Sequence, residues 1–81
     1  MHYRNGREAK NGDKIVQIDG NGKIVNIGIL FDARPDNDFC NGGIAPTSPS
    51  VAIACMCDCL HVDDVAAIFK EKELDKRPTG K

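Results

Sequence analysis

Isoleucine and valine recur along the chain in short runs that are separated by Asn-Gly dipeptides. The dipeptide occurs at 5–6, 11–12, 21–22 and 41–42. Asn and Gly both tolerate the positive φ that type I′ hairpin turns need at their two central positions. Runs of β-branched residues bounded by such turns are typical of strands. The pattern therefore predicts an all-β chain of short antiparallel strands.

The clearest pair of predicted strands flanks a tight turn at Asp19–Gly22. Residues 14–19 (KIVQID) form the first strand and residues 23–31 (KIVNIGILF) the second. Successive side chains of a strand point to opposite faces, so one face of the second strand carries four apolar residues. We expect this face to be the core: Val25, Ile27, Ile29 and Phe31. Gly28, inside the strand, predicts a bulge or sharp bend of the kind found in small closed barrels.

The pattern becomes helical towards the carboxyl end of the chain. Residues 51–60 are a third β-type run, and the following Asp63 is a residue type that caps helices. The segment 65–74 (VAAIFKEKEL) is rich in helix formers, although it also fits a short closing strand. We therefore expect a single domain over residues 1–69 and a polar helical or disordered tail over 70–81.

The composition is that of a small globular protein. The chain has 81 residues, of which 41% are hydrophobic and 28% charged, which allows one core of limited size. No apolar run approaches the ~20 residues of a membrane-spanning helix. The amino-terminal sequence MHYRNGREAK is polar where a signal peptide is apolar. We therefore expect no membrane association and a cytoplasmic protein whose cysteines are reduced.

The charge distribution argues against binding to nucleic acid. The net charge is −1, and residues 41–69 contain no Lys or Arg. Proteins that bind nucleic acid carry a basic patch or stripe that meets the phosphates. One local group of cations would serve this purpose if the fold placed it on a single face: Arg4, Arg7, Lys10 and Lys14.

Three short segments resemble the opening of small SH3-like barrels of the KOW type. They are residues 12–16 (GDKIV), 22–25 (GKIV) and 28–30 (GIL), and the resemblance spans residues 10–31. It implies a five-stranded barrel in which residues 51–60 supply a later strand. Members of this family often bind RNA or ribosomal and polymerase partners, so the resemblance implies nucleic-acid binding as an alternative function.

Three of the four cysteines occupy alternate positions in residues 53–64, IACMCDCLHVDD. In a straight strand, Cys55, Cys57, Cys59 and His61 lie on one face. Free cysteine is among the most frequently buried residue types. The first interpretation is therefore that Cys55 and Cys57 are small side chains of the core.

A metal site is the second interpretation. Alternate residues of a strand lie ~7 Å apart, so a straight strand cannot bring its thiolates to the ~4 Å separation that a shared zinc ion requires. A bend within Asp58–Asp64 would remove this obstacle. The predicted zinc ligands are then Cys40 from the preceding loop, Cys59 or Cys57, and His61.

Two further interpretations concern cysteine reactivity. A disulfide between Cys40 and a strand cysteine requires an oxidising setting. A nucleophilic Cys59, with His61 as base and Asp63 or Asp64 to orient it, requires the chain to curl. The chain is also short for an enzyme with a closed pocket. We therefore predict a non-enzymatic module that acts through protein–protein contacts or self-association, with a metal-stabilised Cys/His module as an alternative.

Overall fold

Five antiparallel strands form one sheet in the computed structural model, which describes residues 1–34 and 40–80. A short 3₁₀ turn and one helix complete the fold. The elements are β1 (Lys14–Ile18), β2 (Ile24–Phe31), β3 (Asn41–Ala45), β4 (Ala52–Cys55), the 3₁₀ turn (Met56–Asp58), β5 (Cys59–His61) and α1 (Val62–Glu71).

The strand order is β4-β3-β2-β1-β5. Each of the first three strands pairs with the next one in sequence, and β5 returns to pair with β1, where Leu60 lies opposite Val16. The prediction of five antiparallel strands is confirmed. The predicted closed barrel is wrong, because β4 and β5 are the two edges and the sheet stays open. The predicted strand 51–60 is divided by the 3₁₀ turn into β4 and β5, which lie at opposite edges and do not pair with each other.

The predicted first hairpin is confirmed. β1 and β2 pair with Val16 opposite Ile27. The turn between them is held by the Asp19 carboxylate, which accepts hydrogen bonds from the backbone N–H groups of Asn21 (2.8 Å) and Lys23 (3.0 Å). An aspartate that bonds the backbone two residues further along is a standard turn device, so this part of the fold is specified locally.

Gly28 is needed for close packing between strands. It lies opposite Ile15, and a Cβ at position 28 would approach the carbonyl oxygen of Ala45 to 2.5 Å. The irregularity in the pairing of β1 with β2 lies between Gln17 and Ile18. Gln17 lies opposite Asn26 and Ile18 lies opposite Ile24, so the extra residue is Val25 of β2. The bulge that the sequence predicts in this strand is therefore at Val25, and Gly28 instead allows β3 to approach.

The core lies on the inner face of the sheet. Five side chains are fully buried there: Ile15, Leu30, Ile44, Met56 and Cys59. Leu30 and Ile44 are direct cross-strand neighbours. Tyr3, Ala33 and Ala54 extend the cluster. The core therefore draws on the amino-terminal segment, all five strands and the 3₁₀ turn.

The predicted core face of β2 is the exposed face. Val25, Ile27, Ile29 and Phe31 are all exposed, whereas Leu30, on the opposite side of the strand, is fully buried. The prediction is wrong because both faces of this strand carry apolar residues, so that the alternation alone does not distinguish them. The face that carries Leu30 is buried because Ile44, opposite Leu30 in the neighbouring strand, packs with it in the core.

The carboxyl-terminal segment forms a helix, as one of the two alternatives predicts. The imidazole Nδ1 of His61 accepts a hydrogen bond from the backbone N–H of Asp63 (3.0 Å) and so caps the helix. Arg7 binds the Asp64 carboxylate at 3.1 Å and connects the amino-terminal segment to the first helical turn. The predicted domain boundary at residue 69 falls inside this helix, which continues to Glu71. In the described residues, no helix has the length and apolar character needed to cross a membrane.

Candidate functional site

The 3₁₀ turn determines where each cysteine side chain lies. It interrupts the strand alternation after Met56, whose side chain is fully buried like that of Ala54 two residues earlier. Cys59 follows three residues later, which is one turn of a 3₁₀ helix, and is also fully buried. Cys57 is consequently exposed, and Cys55 is half-buried. The prediction that Cys55 and Cys57 belong to the core is therefore wrong, and Cys59 takes that role.

Three thiols meet where β3 begins and β4 ends. The Sγ atoms of Cys40, Cys55 and Cys57 all lie within 4.8 Å of one another. Cys40 Sγ is 2.7 Å from Cys55 Sγ and 3.7 Å from Cys57 Sγ. Strand pairing positions these residues, because Asn41 lies opposite Cys55 in the β3–β4 ladder. We call Cys40, Cys55 and Cys57 the thiol cluster.

The three thiols do not share the same acidity. A hydrogen bond from the Cys55 thiol lowers the pKa of Cys40, and the backbone N–H groups of Cys57 and Met56 lower it further, against the opposing effect of burial. The same contact with Cys40 raises the pKa of Cys55 to about 11. Of this pair, Cys40 is therefore the one that ionises first, and Cys55 is the donor that stabilises its thiolate.

The predicted zinc ligands Cys40, Cys59 and His61 do not come together. Residues 1–34 and 40–80 contain one group of three or more ligating side chains close enough to share an ion, the thiol cluster, and no other group of this kind. Burial raises the pKa of the Cys59 thiol to about 11. His61 uses Nδ1 to cap α1, and its Nε2 lies 3.7 Å from the Asp13 carboxylate. Cys40 joins the cluster, as does Cys57, the predicted alternative to Cys59, whereas Cys59 and His61 lie outside it. Zinc binding stays a prediction.

A hydrogen-bond network explains the position of His61. The Asp13 carboxylate beside it accepts hydrogen bonds from the Tyr3 hydroxyl (2.7 Å) and from the backbone N–H of Lys10 (3.0 Å). Burial alone would raise the pKa of Asp13, but these hydrogen bonds lower it. Burial and the bond to Asp13 raise the pKa of Tyr3. The network attaches the amino-terminal segment to the sheet. Both ring nitrogens of His61 therefore face groups that stabilise the fold, namely the Asp63 N–H and the Asp13 carboxylate.

The arrangement does not favour Cys59 as a nucleophile. A nucleophilic cysteine needs an accessible thiolate, whereas Cys59 is fully buried and its pKa is raised to about 11. Its thiol points to the carbonyl oxygen of Cys55 at 3.6 Å. His61, which would act as the base, is hydrogen-bonded to the helix start.

The outer face of the sheet is an exposed apolar surface. We define it by five residues whose side chains share that face: Val25, Ile27, Ile29, Phe31 and Ile53. Ile27 is 63% exposed and Ile53 67%. The Phe31 ring covers Gly43, where an added Cβ would lie 2.5 Å from ring carbons. The solvent face of an antiparallel sheet is usually polar, and an apolar patch of this kind marks an interaction site. No signal along β2 alone distinguishes this face from the core.

The group of amino-terminal cations is partly neutralised. Arg7 forms ion pairs with Asp63 (3.9 Å) and Asp64 (3.1 Å) at the start of α1. A hydrogen bond from Asn5, followed by the charge of Arg7, lowers the pKa of Asp64, so the carboxylate is charged at neutral pH. Arg7 is therefore engaged within the chain, which weakens the basic group that the sequence offers to a nucleic acid.

The chain matches no known protein-family model, no curated protein and no solved structure. The resemblance to SH3-like barrels accordingly stays a prediction.

Proposed function

We propose that this chain is a small non-enzymatic interaction module of the SH3-like type, and that a second copy of itself covers its outer face. The observation that carries the proposal is the outer face itself. Its five apolar side chains are exposed on the side of the sheet that lies opposite the core.

The SH3-like assignment is supported by the path of the chain around the sheet. After four strands that pair in sequence order, the 3₁₀ turn redirects the chain and β5 pairs with β1. This return of the last strand to the first is the step that a five-stranded barrel requires. The open sheet of this chain is therefore close to a barrel in connectivity, with β4 and β5 left unpaired to each other.

A second copy is the occupant that best fits the outer face. None of its five members carries a charge, and the cation beside them on the same face is Lys14, opposite Ile29. A contact between two copies through the five members would therefore be apolar. A two-fold arrangement brings the same patch of both copies together, and apolar sheets stack face to face at about 10 Å. Domains are normally built from two packed layers, and the second sheet would supply the missing layer.

The size of the core adds to this argument. Nine hydrophobic side chains are buried in the described chain. A single core in a chain of this length seldom supplies more than about 3–5 kcal/mol of stability. Covering the outer face removes more apolar surface from water, which contributes about 25 cal/mol for each Å². Self-association therefore stabilises the fold as well as forming the interface.

Light scattering across a range of concentrations tests the proposal. We expect the wild type to form a dimer, and Ile27→Asp to be a folded monomer, because a charge at the middle of β2 would be buried between the sheets. Leu74→Asp is the matched control. Leu74 is 71% exposed and lies beyond α1, so this variant should dimerise like the wild type.

A wild type that remains a monomer at several hundred micromolar would contradict the proposal. If such a monomer also bound single-stranded RNA with an affinity that falls as salt rises, the KOW-type alternative would be supported instead.

A further inference from the structure

We infer that the thiol cluster binds one zinc ion through the sulfur atoms of Cys40, Cys55 and Cys57, with the fourth position open to water or to an external ligand.

The distances among the thiols suit a shared ion. Zinc binds sulfur at ~2.3 Å in a tetrahedral arrangement, which places two coordinated sulfurs about 3.8 Å apart. Cys40 and Cys57 Sγ are 3.7 Å apart, and all three sulfurs fall within 4.8 Å of one another. The pair Cys40–Cys55, at 2.7 Å, has to open by about 1 Å to reach the tetrahedral separation.

The exposure of the cluster allows an ion to enter. Cys57 is exposed, and Cys40 and Cys55 are half-buried. An ion held by these three sulfurs would have protein on one side and solvent on the other. Three protein ligands with an open fourth position are the pattern of zinc sites that accept a further ligand, whereas closed structural sites supply four.

The backbone fixes the cluster before any ion arrives. The backbone N–H of Met56 donates to the carbonyl oxygen of Cys40 at 2.7 Å, and this bond holds the 3₁₀ turn against the start of β3. The backbone N–H of Cys57 is directed at the sulfurs of both Cys40 and Cys55. Such donors stabilise the negative charge that accumulates on coordinated thiolates.

Sulfur ligands select the type of metal. Thiolates favour zinc and copper(I), whereas magnesium and calcium take oxygen ligands. On binding, each thiol releases its proton to water and its sulfur donates an electron pair to the ion. No electron is transferred, so the step needs no oxidant or reductant. The affinity should therefore rise with pH, because the protons that leave are a product of binding.

The site differs from the ligand set that the sequence predicts, and variants distinguish the two. Cys57→Ser removes a ligand of the cluster at an exposed position, where the fold does not depend on the side chain. His61→Gln and Cys59→Ala change residues of the predicted set that lie outside the cluster. Cys55→Ser affects only a site at the thiol cluster, and His61→Gln affects only the predicted set, so these two variants separate the alternatives.

The experiment is a titration of the reduced full-length chain with Co²⁺ and then Zn²⁺, with Mg²⁺ as the control ion. We expect one Co²⁺ for each chain, a sulfur-to-cobalt charge-transfer band, and displacement of Co²⁺ by Zn²⁺. Cys57→Ser should weaken binding by at least about tenfold, as loss of a ligand exceeds the effect of its outer partners. Cys55→Ser should do the same, whereas His61→Gln and Cys59→Ala, where folded, should retain the wild-type affinity.

Three results would overturn the inference. They are failure of the reduced wild type to bind Co²⁺ or Zn²⁺, full affinity in both Cys57→Ser and Cys55→Ser, and loss of binding in a folded His61→Gln. None of these results depends on whether the chain dimerises.

Discussion

Met56 and Cys40 are joined by a backbone hydrogen bond of 2.7 Å, in which the N–H of Met56 donates to the carbonyl oxygen of Cys40. The same Met56 side chain is fully buried in the core. One residue therefore connects the core to the thiol cluster: its side chain secures the 3₁₀ turn from the inside, and its backbone holds Cys40 beside the cysteines of the turn.

Met56→Ala should destabilise the fold by about 2–5 kcal/mol, because it leaves a cavity among the core side chains. The free energy of unfolding from a urea titration measures this change. Leu74→Ala is the control, since an exposed residue outside such features changes stability by no more than about 0.5 kcal/mol. Equal stability of the two variants would show that Met56 does not hold the core together.

Gly28→Ala should also be destabilising, by about 1–3 kcal/mol, because the new methyl group would press on the backbone of β3. The atom it meets is the carbonyl oxygen of Ala45, at 2.5 Å, which has no flexible side chain to move aside. Gly20→Ala is the matched control, since nothing lies within 4 Å of a Cβ there. Thermal unfolding of both variants provides the comparison, and an unaffected Gly28→Ala would argue against the close approach of β2 and β3.

Stability should fall in alkaline solution through ionisation of Cys59. Burial raises its pKa from the ordinary value of 9.0 to about 11 in the folded state. A group whose pKa is raised by folding contributes fully below the unfolded pKa, and the contribution is lost as pH rises from about 9 to about 11. Denaturant titrations at pH 8 and pH 10 under reducing conditions measure the loss. Cys59→Ala should show a smaller decrease over this interval; an identical decrease would indicate that Cys59 is accessible when folded.

The four thiols should differ in their rates of alkylation. Cys57 is exposed and should react readily in the native state. Cys40, whose pKa is lowered by the hydrogen bond from Cys55, should react at a lower pH than an ordinary cysteine. Cys59 should react only when the protein unfolds. Peptide mass mapping after timed labelling gives the order, and early labelling of Cys59 would refute the position of the 3₁₀ turn.

The hairpin of β1 and β2 was predictable because its determinants are local. The turn depends on Asp19 bonding to Asn21 and Lys23, which are neighbours in sequence. The choice of core face in β2 was not predictable from that strand, because it depends on Ile44 in β3, which lies opposite Leu30. The alternation of side chains along a strand identifies the core face only when the opposite face is polar.

The sequence pattern did not place Cys55 in a metal site, because the chain turns a few residues earlier than the metal interpretation required. The metal interpretation requires a bend within Asp58–Asp64, whereas the chain turns at Met56–Asp58. The earlier turn brings Cys55 and Cys57 to Cys40 and sends Cys59 inward. Asp58 is the signal for the true position, because a straight strand would place its carboxylate on the buried face of Ala54 and Met56. Aspartate is almost never fully buried unless it is paired.

Nuclear magnetic resonance on a mixture of isotope-labelled and unlabelled copies tests the central claim most directly. If two outer faces pack together, contacts between copies should appear among the side chains of Ile27, Phe31 and Ile53. The account predicts such intermolecular contacts in the wild type and their loss in Ile27→Asp. A dimeric sample without these contacts would contradict the claim that two outer faces pack together. So would a dimer whose intermolecular contacts involve only the exposed Ile68 and Phe69 of α1.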